Sequence, residues 1–340
     1  MKRLLALAVL LALLPFSGGL AAQKFNTKNR LYTAKLNTAT RVYASWSGTQ
    51  ASDVIGSIPN KARVVIHELN PTFALVTYEA TGTTGYIKRV CLDNPQPINS
   101  KTTPPYGVEF NHFLATVAAK DAPVTTKPGK GSTLITLHKG ARVSFIGFEN
   151  GYGKLIYHRE YGYIDSRLLG ELTPVYEAPE SAGTDAPIAS FTSFYKITDD
   201  ESNRNRMSNI AVACKKLCML PLKKGGSLDF NAQVGPYRAA NGYKPAGVLI
   251  DGEVQQGYGG GTCQVSSTLY NVVLQLPGIT VLQRRAHGAN GASYLPMGVD
   301  AAVGSKTLNL RFRNDYPFPI RIDAVSQDGA LTIAIYRSKK

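Results

Sequence analysis

Cysteine is scarce in this chain, with four residues in 340, at positions 91, 214, 218 and 263. So few cannot make the disulfide framework that holds small secreted domains together. Cys214 and Cys218 stand four apart on an expected helix, where their Cβ vectors run side by side rather than converging; a bond between them would be strained, and both read as core positions. Histidine is almost as rare, with five residues. His67, His112, His138 and His158 share no spacing, so they read as surface or locally satisfied histidines rather than metal ligands. Acidic residues are outnumbered, 23 against 38 Lys plus Arg, for a net charge of +15. The excess is spread along the chain with no basic stripe, so nucleic acid is not the expected partner; a diffuse positive field suits anionic polymers of a cell envelope, or simple solubility. Beyond the first twenty residues no apolar run is long enough to span a membrane.

The first twenty or so residues are a different matter. Lys2 and Arg3 precede an apolar run over 4–16, and Gly19-Leu20-Ala21-Ala22 supplies small residues for cleavage. Residues 1–22 therefore read as a secretory signal peptide, and no cysteine follows the run to take a lipid anchor. The expected mature protein is exported, extracytoplasmic and soluble.

Residues 31–93 and 109–170 look like two copies of one unit. Ala62-Arg63-Val64-Val65-Ile66, Ala74-Leu75-Val76-Thr77-Tyr78 and Gly85-Tyr86-Ile87 in the first correspond to Ala141-Arg142-Val143-Ser144-Phe145, Lys154-Leu155-Ile156-Tyr157 and Gly162-Tyr163-Ile164 in the second. Short alternating strands at nearly equal spacing argue for a duplicated small β-barrel. Residues 94–108, with four prolines, read as a linker, and 171–189, acidic and rich in Pro, Ala and Gly, as a second that gives the C-terminal domain freedom to move.

The C-terminal domain, 190–340, opens on an amphipathic helix from 203 to 220. It puts Met207, Ile210, Ala211, Cys214, Leu217 and Cys218 on one face, and Pro221 is its expected stop. A hairpin is expected around Asp251-Gly252. Alternating residues at Leu308, Leu310 and Phe312, then Ile320, Ile322 and Ala324, then Leu331, Ile333 and Ile335 predict a three-strand antiparallel meander. The most restricted stretch is Gly257-Tyr258-Gly259-Gly260-Gly261-Thr262-Cys263-Gln264. Its glycines predict a tight, close-approach loop, and Val265, Leu269, Val272, Val273 and Leu276 after it carry helical spacing up to Pro277-Gly278. Cys263 then stands at a helix N-terminus, where unpaired amides favour a thiolate.

These residues resemble known families. The closing Gly-Tyr-Ile strand after a Val/Tyr-rich strand resembles bacterial SH3-like domains, which implies binding of wall peptides or polymers. Asn203-Arg204-Asn205-Arg206 with Asn209-Ile210, Phe230-Asn231, Val234-Gly235-Pro236, Gly242-Tyr243, Gly259-Gly260-Gly261-Thr262-Cys263-Gln264-Val265-Ser266, Leu269-Tyr270-Asn271, His287, Tyr294-Leu295-Pro296, Gly298-Val299-Asp300 and Phe312-Arg313-Asn314 closely resemble the VanW-like family over about residues 190–337. That resemblance implies an exported envelope protein and supplies no reaction. In two places the chain departs from the family pattern. The usual isoleucine before the cysteine is Thr262, whose hydroxyl is suited to cap the helix. The usual paired histidines become Arg285-Ala286-His287, leaving His287 as the domain's only imidazole.

The expected architecture is two small all-β SH3-like barrels followed by an α+β domain with an antiparallel sheet, binding peptidoglycan or an associated anionic wall polymer, with no cofactor or metal and an oligomeric state the sequence does not fix. Three functions follow. A binding or scaffolding protein would use Gly259, Gly260, Gly261, Thr262, Tyr294, Asn271, Arg204 and Asn209 as ligand contacts around a buried Cys263. A cysteine-dependent hydrolase or transpeptidase of wall peptide amides would use Cys263 as nucleophile, His287 as base and Asp300 to hold the imidazole, with the amides of residues 262–264 or the Gln264 side chain facing the oxyanion. A metal-stabilised domain would use Cys214, Cys218, Cys263 and His287.

Overall fold

The computed structural model describes residues 25–46, 50–99, 103, 107–250, 253–287 and 291–339; the expected signal peptide lies outside them. The chain is β-rich with antiparallel sheets throughout. Among the described residues no helix is long and apolar enough to cross a membrane.

The first β module is a seven-stranded sheet in which Tyr32–Leu36 pairs with both Arg63–Leu69 and Leu92–Pro97, and Phe73–Tyr78 lies between Arg63–Leu69 and Thr83–Lys88. Val42, Val64, Ile66, Val76 and Ile87 fill its core. The second splits into a five-stranded sheet and a three-stranded sheet around Val124, Leu137, Val143, Phe145 and Ile164. The repeated glycine of the Gly-Tyr-Ile strands has one cause in both modules. A Cβ at Gly85 would lie 2.5 Å from Val42 Cγ1, and one at Gly162 would lie 2.7 Å from Val124 Cγ1. In each, a neighbouring strand passes too close for any side chain.

The C-terminal domain is built on a four-stranded sheet in the order Pro187–Phe194, Ala330–Arg337, Ile320–Gln327, Leu220–Leu222. Every residue of Pro187–Phe194 is buried. Its polar side chains are satisfied across both faces: Ser193 shares a hydrogen bond of 2.7 Å with Thr268, and Thr192 accepts from the Ser144 amide of the second module at 2.8 Å. The sheet is thus sandwiched between a central helix and the second module, and the modules are not loosely tethered. The segment 171–189, expected to be a free linker, is tied down instead. Val175 N–H donates to the His112 carbonyl, Asp185 N–H to the Arg337 carbonyl, and the Arg337 guanidinium to the carbonyls of Glu180 and Ala182.

Helix α1, Glu201–Leu217, is capped by Asp200, whose carboxylate accepts from Asn203 N–H at 2.8 Å, and ends over Lys215 and Lys216, charges that suit the two ends of the helix dipole. Its inner face is Ile210, Ala213, Cys214 and Leu217, while Ala211 is exposed. The helix stops before Cys218, which is extended, and Met219 has φ 60. Pro221 already lies in the strand Leu220–Leu222, because the residue before a proline avoids helical backbone. Cys218 is accordingly exposed and not a core position, and all four cysteines are free. A short helix α2, Phe230–Val234, follows, then the hairpin Pro245–Ile250 with Glu253–Tyr258, and then α3, Thr262–Val273.

The expected meander is not formed. Ile320–Gln327 and Ala330–Arg337 pair, but Arg311–Asn314 pairs with Ser227–Asp229 and Ile279–Gln283 in a separate sheet. Pro317 and Pro319 interrupt the chain between them, and the Asn314 side-chain amide turns it by donating to the carbonyls of Leu222 and Phe318.

Candidate active site

Helix α3 runs through the middle of the domain, and of its twelve residues all but Cys263 are buried. Polar residues on such a helix must find partners inside the protein. Ser266 donates to the Ala301 carbonyl at 2.6 Å, Ser267 accepts from Ala301 N–H at 2.9 Å, and the Asn271 amide donates to the carbonyls of Ser267 and Val299 at 2.8 Å. These bonds dock the segment 299–301 along α3 and place Asp300 beside the start of the helix. The chain reaching His287 from the strand Ile279–Gln283 meets the same segment, with Ala302 N–H donating to the Arg285 carbonyl at 2.7 Å.

Asp300 is 1% exposed and accepts from the His287 backbone amide at 2.7 Å and from its ring Nδ1 at 2.6 Å. Arg284 binds the other carboxylate oxygen at 3.3 Å and the Asp300 carbonyl at 2.6 Å. Burial alone would raise the Asp300 pKa, but the bonds from His287 and the charges of His287 and Arg284 hold it below the ordinary value. With Nδ1 given to Asp300, the second ring nitrogen is left for Cys263, whose sulfur lies within the ring's electrostatic reach. Burial opposes the charged ring, yet Asp300 and Cys263 outweigh it and raise the His287 pKa to about 9. The imidazole is therefore protonated at neutral pH. The Cys263 sulfur also receives the Val303 amide at 3.5 Å.

The glycine loop sets where the sulfur stands. Gly261, at φ 107, is the residue that caps α3, and a Cβ at Gly260 would lie 2.6 Å from the Gly247 carbonyl oxygen. Thr262 does not cap the helix: its hydroxyl donates back to the Gly259 carbonyl at 2.8 Å and closes the loop. The Thr262 and Gln264 amides are spent on the carbonyls of Gly259 and Gly261. The Cys263 amide between them has no acceptor among the described residues and is left at the N-terminus of α3.

Cys263, His287, Tyr294 and Thr262 line one cleft of about 1730 Å³ with Gly259, Gly260 and Gly261. That is larger than a pocket for one small ligand and suits a length of polymer. Other residues expected at the site stand behind it. Gln264 is buried, and its amide donates to Ser193 Oγ at 3.2 Å and the Phe194 carbonyl at 3.0 Å, so its side chain does not face an oxyanion. Asn209 holds the loop from beneath, donating to the carbonyls of Lys244 and Gly260. Asn271 anchors Val299, and Arg204 is exposed and turned to the Asp199 carbonyl. Among the described residues no group of three His, Cys, Asp or Glu is placed to hold an ion, and Cys218, one of the four residues of the metal alternative, lies against Asp323 at 3.0 Å. Sequence reasoning missed Arg284, the Val303 amide and Tyr237, whose phenol lies in the field of the Cys263 sulfur.

The family model described as VanW like protein matches residues 205–336. Residues 205–336 belong to the VanW-like family. Two bacterial proteins are similar to part of the chain. The uncharacterized protein YoaR of Bacillus subtilis is 37% identical over 139 residues, 41% of this chain and 45% of YoaR. The vancomycin B-type resistance protein VanW of Enterococcus faecalis is 28% identical over 140 residues, 40% of this chain and 50% of that protein. The chain thus spans about half the length of each relative. Two solved Trichomonas vaginalis proteins also align over most of both chains. NlpC2 does so over 90% of this chain and 97% of its own at a TM-score of 0.16, and NlpC1 over 94% and 98% at 0.17, both at 13% identity. Those scores are too low to carry a fold comparison. The cleft around Cys263 lies wholly within the VanW-like domain and the residues just before it.

Proposed function

We propose that the VanW-like domain is a cysteine acyl-transfer enzyme acting on amide bonds of wall peptides, and that the N-terminal modules are SH3-like barrels that hold it on peptidoglycan or an attached anionic polymer outside the cytoplasm. The observation that carries the reading is a buried Asp300 that holds His287 in the same cleft as a partly exposed Cys263, within electrostatic reach of its sulfur. A sulfur packed for stability alone needs no imidazole, and an imidazole kept charged by a buried carboxylate needs a use.

Each group has one task. The Cys263 thiolate attacks the amide carbonyl carbon, forming the C–S bond while the oxyanion takes the carbonyl electron pair and faces the free Cys263 amide. His287 gives its proton to the amide nitrogen as the C–N bond breaks and the amine leaves. Water or a second amine then attacks the thioester, loses its proton to His287 and releases the thiolate. Asp300 keeps the ring in the tautomer this requires, and Arg284 keeps Asp300 in place.

A binding protein without chemistry is the competing reading, favoured by the diffuse charge and the tandem modules. Incubation of purified sacculi with the full chain and with Cys263→Ala, followed by muropeptide analysis, separates the two. The acyl-transfer reading expects a changed profile with the native protein and none with the variant. Equal profiles, with both proteins bound to sacculi, leave the binding role alone.

A further inference from the structure

The cleft contains an unspent positive charge. Of the acidic residues that line it, Asp200 is occupied in capping α1 and Asp229 in an ion pair with Arg311 at 3.3 Å and in accepting from Asn309 at 2.8 Å. Lys306 is exposed at the rim. Arg206, on the cleft-facing side of α1, is half-buried, and its hydrogen-bond partner is the neutral Gln264 Oε1 at 3.4 Å; among the described residues no carboxylate pairs with it. Its stem lies on the glycine loop: a Cβ at Gly261 would stand 3.0 Å from Arg206 Cγ. The absence of a side chain at Gly261 thus lets the arginine approach two residues before the nucleophile. Arg206, Cys263 and Tyr294 line the same cleft, and the Tyr294 phenol lies in the field of both the sulfur and the guanidinium.

A guanidinium at the side of a cleft, with one long bond to a neutral amide and its other donors to spare, is suited to take a planar anion in two parallel hydrogen bonds. Resting on the thiol chemistry proposed above, we propose that Arg206 binds a carboxylate carried by the residue adjoining the scissile amide and so selects the substrates whose carbonyl reaches Cys263. The class of substrate is a peptide with a free carboxylate beside the bond that is exchanged. Neutral, amidated peptides of the same sequence are poor substrates.

The test needs no knowledge of the natural peptide. Iodoacetate and iodoacetamide alkylate the same sulfur and differ by one negative charge. In the full-length protein near neutral pH, labelling of Cys263 is followed by mass spectrometry with each reagent. Arg206→Met is expected to slow iodoacetate by about fivefold, the effect of one charge in the same partly solvated cleft, and to leave iodoacetamide nearly unchanged. Arg206→Lys, which keeps the charge, is expected to retain most of the preference, and Arg206→Gln takes the place of the methionine variant should that variant misfold. A reagent ratio equal in wild type and in the neutral variants overturns the Arg206 assignment and leaves the nucleophile standing. Inertness of native Cys263 to both reagents removes the nucleophile and this assignment together.

Discussion

Two cysteines on two packed helices of one domain have opposite surroundings. Cys214 sits on the inner face of α1 between Ile210 and Leu217, 2% exposed, and burial pushes its thiol up to about 12 although Ser326 opposes the shift. Cys263 opens α3 after three glycines, half-exposed, with an imidazole on one side and a backbone amide on the other. Residue type and secondary structure are the same. What differs is what closes over each: apolar side chains cover Cys214, whereas the backbone of segment 299–303 reaches Cys263, with the Val303 amide and carbonyl each 3.5 Å from its sulfur. The surroundings of each thiol are therefore set by a long-range contact and not by the helix that carries the sulfur.

The largest expected effect comes from exchanging the two sulfurs' fates. Cys263→Ala should abolish alkylation of the native protein and any muropeptide change, while leaving the unfolding midpoint in urea close to that of wild type. Cys214→Ala should do the reverse, preserving the labelling rate of Cys263 and lowering stability by about 1–2 kcal/mol through the cavity it leaves. Equal labelling of both sulfurs in the folded protein would erase the contrast.

Next in size is removal of the charge behind the imidazole. Asp300→Asn should lower acyl transfer on the order of a thousandfold, because the ring loses both its preferred tautomer and the charge that stabilises its protonated form. The His287 pKa, followed by NMR, should fall from about 9 toward its ordinary 6.5. The same shift predicts how stability depends on pH. A folded pKa above the unfolded one means that His287 contributes fully below about pH 6.5 and loses that contribution as pH rises through about 9, roughly 2 kcal/mol after allowance for the partly solvated ring. Asp300, whose pKa is lowered, behaves oppositely: its contribution is present above its ordinary 3.8 and is lost as pH falls through the lower folded value. Urea unfolding at a series of pH values should show the alkaline loss in wild type and a smaller one in Asp300→Asn.

These contrasts divide what could be read from the sequence from what could not. The glycine loop and the helical pattern after it located Cys263, and elimination left His287 as the domain's imidazole; local residues carry those signals. The inward turn of Gln264, the Val303 amide on the sulfur and the role of Arg284 depend on which distant segment passes α3, and nothing near them in sequence records it. The failed meander has the same origin. Residues 308–312 alternate as a strand would in either sheet, and the choice was made by Asn314 and two prolines downstream. Cys218 was assigned to the core because an ideal periodicity was carried past the point where α1 ends, whereas Ala211 lies within α1 on its exposed face.

The smallest expected effect concerns how the N-terminal modules touch the site. Residues 292–300, which carry Tyr294 and Asp300, have their backbone carbonyls held by arginines from three parts of the chain. Arg159 of the second module reaches the carbonyls of Ala292 and Leu295 at 3.4 Å, Arg89 of the first reaches Met297 at 3.5 Å, and Arg284 reaches Gly298 at 2.7 Å. The three contacts from the modules are long and therefore weak, whereas those of Arg284 to the carbonyls of Gly298 and Asp300 are short. Arg159→Met should accordingly cost only a fewfold in the rate of Cys263 alkylation, with the loss in rate rather than in the pH at which it declines, since neither His287 nor Asp300 loses a partner. Arg284→Met should shift that pH as well, because it removes a charge that holds Asp300 ionised. If Arg159→Met left the rate untouched, the modules would be anchors alone; if it moved the pH profile as far as Arg284→Met, the site would extend across the domain boundary, and the division between a reacting domain and its supporting modules would no longer hold.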